Sequence, residues 1–257
     1  MGERKKVFIT GACGRVGTAL SERLRSRYDL KLLYHPSRIP EDRNEADEVV
    51  VSDMNDFDAM VEAASGMDAI VHLALSKGRE GDTPVQRSRV TVDENIPGDF
   101  NIFQAAKINS VPTIVYASTN HVSGQYEKDG VLSRADAPVR PDGVYGAGKA
   151  FGEALGRFYS EGHGIRVLCL RIANCPGAGT DDPGRLYEPG FSRWLSNRDA
   201  AQLVWRCIET EEVKFGIFYG VSLGGEKKFD LSNARQLLGY EPEDDGSLAE
   251  YRNKYSS

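Results

Sequence analysis

The sequence is short of the features that mark several common classes of protein. Its four cysteines, at positions 13, 169, 175 and 207, show no C-x-x-C or zinc-ligand spacing, so neither a structural metal site nor a disulfide framework is expected. Such cysteines read as reduced, buried thiols of a cytoplasmic protein. The four histidines are scattered and suggest no metal cluster. No apolar run approaches about 20 residues, so no membrane-spanning helix is expected. There is no basic excess either. Thirty-two Lys and Arg against 38 Asp and Glu leave a net charge of -6, which argues against a nucleic-acid or anionic-membrane partner. The opening MGERKKVFIT passes from charge straight into a strand-like segment, without the apolar stretch of a signal peptide. Lys6 also stands where a myristoylation signal needs Ser or Thr.

What the chain does have is ordinary globular material. Its 257 residues are 40% hydrophobic and 27% charged, enough to bury one sizeable core. KKVFIT (5–10), LKLLYH (30–35), EVVVSDM (48–54), DAIVHLAL (68–75), TIVYAST (113–119) and IRVLCLRI (165–172) are apolar, β-branched runs that predict strands. Helical period fills the gaps: TALSERLRSRY (18–28), FDAMVEAAS (57–65) and VDENIPGDFNIFQAAKIN (92–109), the last interrupted by Pro97. YGAGKAFGEALGRFYSEG (145–162) follows, with an apolar face that reads as Phe151, Leu155, Phe158 and Tyr159. This alternation predicts an α/β fold, a Rossmann-type doubly wound parallel sheet covered on both faces. Past Arg171 the rhythm loosens into a loop rich in Gly, Pro and Asp through residue 190. A helix at 197–210, a strand at 215–221 and a helix at 231–239 close the chain. The expected division is a dinucleotide-binding domain over 1–172 and a small substrate-binding lobe over 173–257, contiguous with the same core.

TGACGRVG, between the first strand and the first helix, places Gly11, Gly14 and Gly17 three residues apart. Glycines there allow a tight turn and close approach of a pyrophosphate, and the following helix start offers free N–H groups. The end of the second strand selects the dinucleotide, because an acidic residue there binds the ribose 2′-hydroxyl. LKLLYHPSRIP offers Tyr34, His35, Ser37 and Arg38 but no carboxylate. An arginine near a 2′-phosphate suits NADP, so NAD(P) is expected, with NADP favoured over NAD. Asp53 is placed to meet the adenine amino group, and Met54 to lie against the ring. The expected dinucleotide set is Gly11, Gly14, Arg15, Val16, Gly17, His35, Arg38, Asp53, Met54 and Leu73, joined by Tyr145 and Lys149.

Tyr145 and Lys149, in VYGAGK, have the i, i+4 spacing that a helix puts on one face. A phenol of pKa about 10 is a poor base at neutral pH, but a neighbouring ammonium stabilises the phenolate. With the glycine loop, this Y-x-x-x-K pair resembles the short-chain dehydrogenases/reductases, in particular the extended branch that includes sugar-nucleotide epimerases and dehydratases. The resemblance implies that Lys149 also holds the nicotinamide ribose. It places the hydroxyl that orients the substrate oxygen at Thr119, in YASTNH, with neighbouring Ser118 as the alternative, expected to point into the sheet.

ASTNHVSG, RPDGVYGAGKAFGEALGRFY, LRIANC, RWLSNRDAAQLV and FYGVS together resemble uronate dehydrogenases and the related archaeal glucose-6-phosphate dehydrogenases. Such enzymes oxidise the C1 hydroxyl of an unactivated sugar to a lactone. The resemblance implies substrate contacts at Thr119, Asn120, His121, Ser76 and Asn174, and a homo-oligomer. It departs at one position that bears on the substrate. The family's arginine, which grips the sugar's anionic group, falls here on Pro189, before Trp194. Arg185 and Arg193 flank it and are the candidates for that role. The function expected is therefore NAD(P)-dependent oxidation of a hexuronate or a related aldose, with Tyr145 as base. Two other readings stay open: a sugar-nucleotide epimerase or dehydratase that recycles its NAD, and a regulatory protein that binds a dinucleotide without catalysis.

Overall fold

The structure, a computed structural model, describes residues 3–177 and 193–245. Seven strands form one sheet in the order β3-β2-β1-β4-β5-β6-β7. They are β1 (Lys6–Thr10), β2 (Asp29–Tyr34), β3 (Glu48–Val51), β4 (Ala69–His72), β5 (Thr113–Thr119), β6 (Arg166–Ile172) and β7 (Phe215–Gly220), and every pairing is parallel. Val7, Phe8 and Ile9 in β1 are wholly buried, as a strand covered on both faces requires.

Helices supply the cover. On one face α1 (Arg15–Leu24), α7 (Asn197–Glu209) and α8 (Ser232–Leu238) pack Leu20, Leu24, Leu203, Val204 and Leu238 against the sheet. On the other, α2 (Phe57–Ala63), α4 (Ile96–Ile108) and α6 (Val144–His163) bury Met60, Ile102, Phe103 and Tyr159. β7, α7 and α8 thus extend the same sheet and one of its cores. Among the described residues no helix is long and apolar enough to cross a membrane. None of the four cysteines is in a disulfide, and three of them are buried.

Three features differ from the sequence reading. Pro97 does not break its helix. Helix α3 (Pro84–Val90) continues through a π-helical turn (Thr91–Asn95) into α4, which carries Pro97 in its first turn. Proline lacks an N–H and crowds the carbonyl four residues back, and the wider i→i+5 turn removes both conflicts at that point. A 3-10 turn (Asn120–Ser123) and α5 (Gly124–Lys128), neither foreseen, follow β5.

The third difference concerns α6. Its expected apolar face faces outward in part: Phe151 is 39% and Phe158 58% exposed. The buried face instead carries Gly148, Lys149, Gly152, Glu153, Gly156 and Tyr159. A β-carbon at Gly152 would overlap the Tyr116 hydroxyl, and one at Gly156 would come within 2.8 Å of Val167 Cγ1. The helix therefore lies almost directly on β5 and β6 at Gly152 and Gly156, where there is no room for a side chain.

Candidate active site

The strand order reverses between β1 and β4, which leaves a crevice at the carboxyl ends of the strands. A cleft of about 1010 Å³ occupies it. Gly11, Gly14, Arg15, Val16, Gly17, His35, Arg38, Asp53, Met54 and Leu73 line it, together with Ser76, Thr119, Asn120, His121, Tyr145, Lys149 and Asn174. Of the residues nominated from sequence, Arg193 is not among its walls, and Arg185, like Pro189, lies outside the described residues.

At one end the backbone forms a cradle. Gly11 has φ +66 and packs so closely that a β-carbon would sit 2.7 Å from the Ala74 nitrogen. A β-carbon at Gly17 would meet Ala12 Cα at 2.7 Å. Helix α1 begins at Gly14 with neither a side-chain cap nor an acidic residue in its first turn, so its N–H groups and partial positive charge face the cleft. Gly177, at φ +100, brings the segment after β6 against Arg15. Glycine-only space before an uncapped helix start fits the pyrophosphate of a dinucleotide. Further along, His35 bonds Ser37 Oγ at 2.6 Å and Asp53 Oδ2 at 3.3 Å. Met54 reaches the cleft wall, but most of its side chain packs beneath Gly98 and it is only 5% exposed.

At the other end stand the chemical groups. Thr119 closes β5 and its hydroxyl accepts the His121 N–H at 3.3 Å. Its neighbour Ser118 donates to Glu153 Oε1 at 2.6 Å. The His121 carbonyl lies where any β-carbon at Gly146 would be, so the turn after β5 and the start of α6 are in backbone contact. That contact sets Tyr145 beside His121, with ring centroids 6.1 Å apart. His121 Nδ1 meets the Asp142 carboxylate at 2.9 Å, which leaves Nε2 as the ring's second polar atom. Asn120 donates to Glu127 Oε1 at 2.9 Å, and Glu127 Oε2 receives Arg193 Nε at 2.6 Å. Arg193 therefore stands one residue behind the cleft, paired with a buried carboxylate. The loop carrying Ser76 is pinned by Asn95, which bonds both the backbone N–H and the carbonyl of Ser76.

Beneath Lys149 lies a buried polar chain that the sequence did not announce. Thr10 Oγ1 accepts the N–H groups of Leu73 and Ala74, both at 3.1 Å, so its one proton goes to His72 Nδ1, 2.7 Å away. His72 is thereby fixed as the tautomer that carries its proton on Nε2, donated to Asp99 Oδ1 at 2.9 Å. Tyr116 donates to Asp99 Oδ2 at 2.6 Å, and Lys149 Nζ lies 3.7 Å from Oδ1 and 4.5 Å over the Tyr116 ring. Burial alone would raise the Asp99 pKa, but the Lys149 charge and the bonds from His72 and Tyr116 hold it below the carboxylate range. Burial holds His72 below its ordinary value despite Asp99, so the ring is neutral. His72 ends β4 and Asp99 stands in the first turn of α4, each among apolar neighbours, and only their pairing across the crossover reveals them. Among the described residues no group of His, Cys, Asp and Glu is arranged to hold a metal ion.

Comparison with known proteins agrees with this fold. The profile of the NAD dependent epimerase/dehydratase family matches residues 7–215. The chain is 35% identical to an NAD-dependent glucose-6-phosphate dehydrogenase of Haloferax volcanii, over 94% of each chain. It is 32% identical to a uronate dehydrogenase of Pseudomonas syringae pv. tomato, over 95% of this chain and 83% of that one. Its fold matches the crystal structure of a glucuronic acid dehydrogenase from Chromohalobacter salexigens with a TM-score of 0.83 at 26% identity, covering 99% and 89% of the two chains. This chain belongs to the NAD dependent epimerase/dehydratase family.

Proposed function

We propose that the protein is an NAD(P)-dependent oxidoreductase that oxidises the C1 hydroxyl of a hexuronate or a related aldose to a lactone. The observation that carries this reading is the meeting of Thr119, Tyr145 and Lys149 in the cleft that also holds the glycine cradle. In it, the Thr119 hydroxyl orients the sugar oxygen and Tyr145 takes the hydroxyl proton. The Lys149 ammonium stabilises the phenolate that makes this possible. The nicotinamide, when bound, supplies the hydride acceptor. Asn120, His121, Ser76 and Asn174 hold the sugar.

NADP is favoured over NAD, because the end of β2 presents His35, Ser37 and Arg38 to the cleft and no carboxylate. On the substrate side, Arg193 is engaged by Glu127. A bidentate grip on a carboxylate needs two parallel N–H groups aimed at it. Arg193, turned to Glu127 and outside the cleft walls, does not aim them there, which supports a neutral aldose beside the uronate.

Two measurements test this reading. Purified protein is offered uronates, aldoses and sugar phosphates while NADH and NADPH absorbance is followed, with affinities for both dinucleotides measured in parallel. Tyr145→Phe is expected to lower turnover about 100-fold or more and to leave dinucleotide affinity within about threefold. Parent-like turnover in that variant refutes the assignment. An epimerase or dehydratase would instead hold NAD tightly and release no reduced cofactor.

A further inference from the structure

We propose that Asp99 is a positioning residue for this reaction, its buried carboxylate fixing where the Lys149 ammonium stands beside Tyr145. The inference rests on the function proposed above. Lysine is a point charge on a flexible four-carbon stem, and Lys149 projects from a helix whose nearest turns are glycine. Something besides its own stem must hold it. Asp99 Oδ1 and the face of the Tyr116 ring are the groups that the structure places against Nζ.

The distance matters. At 3.7 Å the pair is an ion pair and not a close hydrogen bond, so Asp99 holds the charge without saturating the three ammonium donors. Those donors remain for the cleft. Asp99 is itself immobilised, 2% exposed and bonded by His72 from β4 and Tyr116 from β5. His72 is in turn fixed by Thr10, which also binds the N–H groups of Leu73 and Ala74. The Ala74 nitrogen is the atom packed against Gly11. One continuous chain of contacts thus runs from the dinucleotide cradle, through Thr10, His72 and Asp99, to Lys149.

An alternative is that Asp99 serves only to satisfy His72 and Tyr116, as any buried acceptor could. The two roles differ in whether the charge of Asp99 is coupled to that of Lys149, and a double-mutant cycle measures that coupling. The parent, Asp99→Asn, Lys149→Met and the double variant are compared in turnover, dinucleotide affinity and thermal unfolding. Asp99→Asn is expected to lower kcat roughly 10- to 100-fold with little change in the sugar KM. In the Lys149→Met background the same change costs no further turnover. Asp99→Asn alone leaves a buried ammonium without its counter-charge, so its Tm falls, and adding Lys149→Met restores part of the loss.

Additive losses in turnover and Tm would overturn the proposal, as would a parent-like kcat in Asp99→Asn. If Asp99→Asn does not accumulate as folded protein, recovery of folding in the double variant supports the pair, and its failure overturns it. If Lys149→Met itself turns over normally, the proposed reaction falls, while the unfolding and affinity cycles still judge the link to Asp99.

Discussion

Gly152 stands one turn beyond Lys149, and its missing side chain is what admits the Tyr116 hydroxyl to the network under the lysine. Two opposed effects decide what a methyl group would do there. Alanine favours a helix interior over glycine by about 1 kcal/mol, whereas overpacking a filled core costs about 1–3 kcal/mol. Displacing the Tyr116 hydroxyl also leaves Asp99 short of a donor, at about 1 kcal/mol. Gly152→Ala is therefore expected to destabilise by about 1–3 kcal/mol, read as a lower urea midpoint with an unchanged slope. At this scale the sequence was legible where spacing encodes the site: Gly11, Gly14 and Gly17, then Tyr145 and Lys149, each sit on a fixed period. It was not legible at His72 and Asp99, where each lies alone in an apolar stretch and only the fold makes a pair.

Helix α6 is the element on which the site depends, and two buried side chains one turn apart, Lys149 and Glu153, tie it down. Glu153 is 4% exposed and accepts Nε and Nη2 of Arg171, each at 2.9 Å, besides the Ser118 hydroxyl. Arg171 reaches on to the Tyr219 hydroxyl, which meets Ser123 in the turn after Asn120. The pair thus braces α6, β6, β7 and the turn after β5 together. Burial works against the Arg171 charge, yet Glu153 and Tyr219 raise its pKa above the ordinary value. Removing one partner from such a pair costs about 3–5 kcal/mol, while replacing both with apolar groups is often neutral. Glu153→Leu should therefore lose about that much stability, and Glu153→Leu with Arg171→Met should regain most of it in equilibrium unfolding. The sequence pattern located this helix and placed Leu155 and Tyr159 correctly toward the core, but misread Phe151 and Phe158. Phe151 and Phe158 fit an apolar stripe, and the pattern cannot register that glycines bring the opposite face onto the sheet.

Across the whole molecule, alternating strands and helices implied a doubly wound parallel sheet, while the order β3-β2-β1-β4-β5-β6-β7, which places the cleft, is read only from the structure. It also brings His72 to the centre of the sheet, wholly buried, and this has a consequence for stability in acid. The folded protein holds His72 neutral with its pKa below the ordinary 6.5. Between the folded and unfolded values the unfolded chain binds the extra proton, so stability rises with pH there. The contribution is complete above about pH 6.5 and is lost as pH falls toward the folded value, at up to about 1.4 kcal/mol per pH unit. Asp99 has the same sign in a lower window: its depressed pKa stabilises above about pH 4 and ceases to do so as pH falls through the folded value. Acid should therefore weaken the protein in two stages, the first belonging to His72. His72→Gln keeps a donor toward Asp99 and removes the titration. It should be less stable than the parent at pH 7.5, yet lose less stability than the parent between pH 7.5 and 5.5 in urea unfolding. Equal losses over that interval would assign the first stage to other groups.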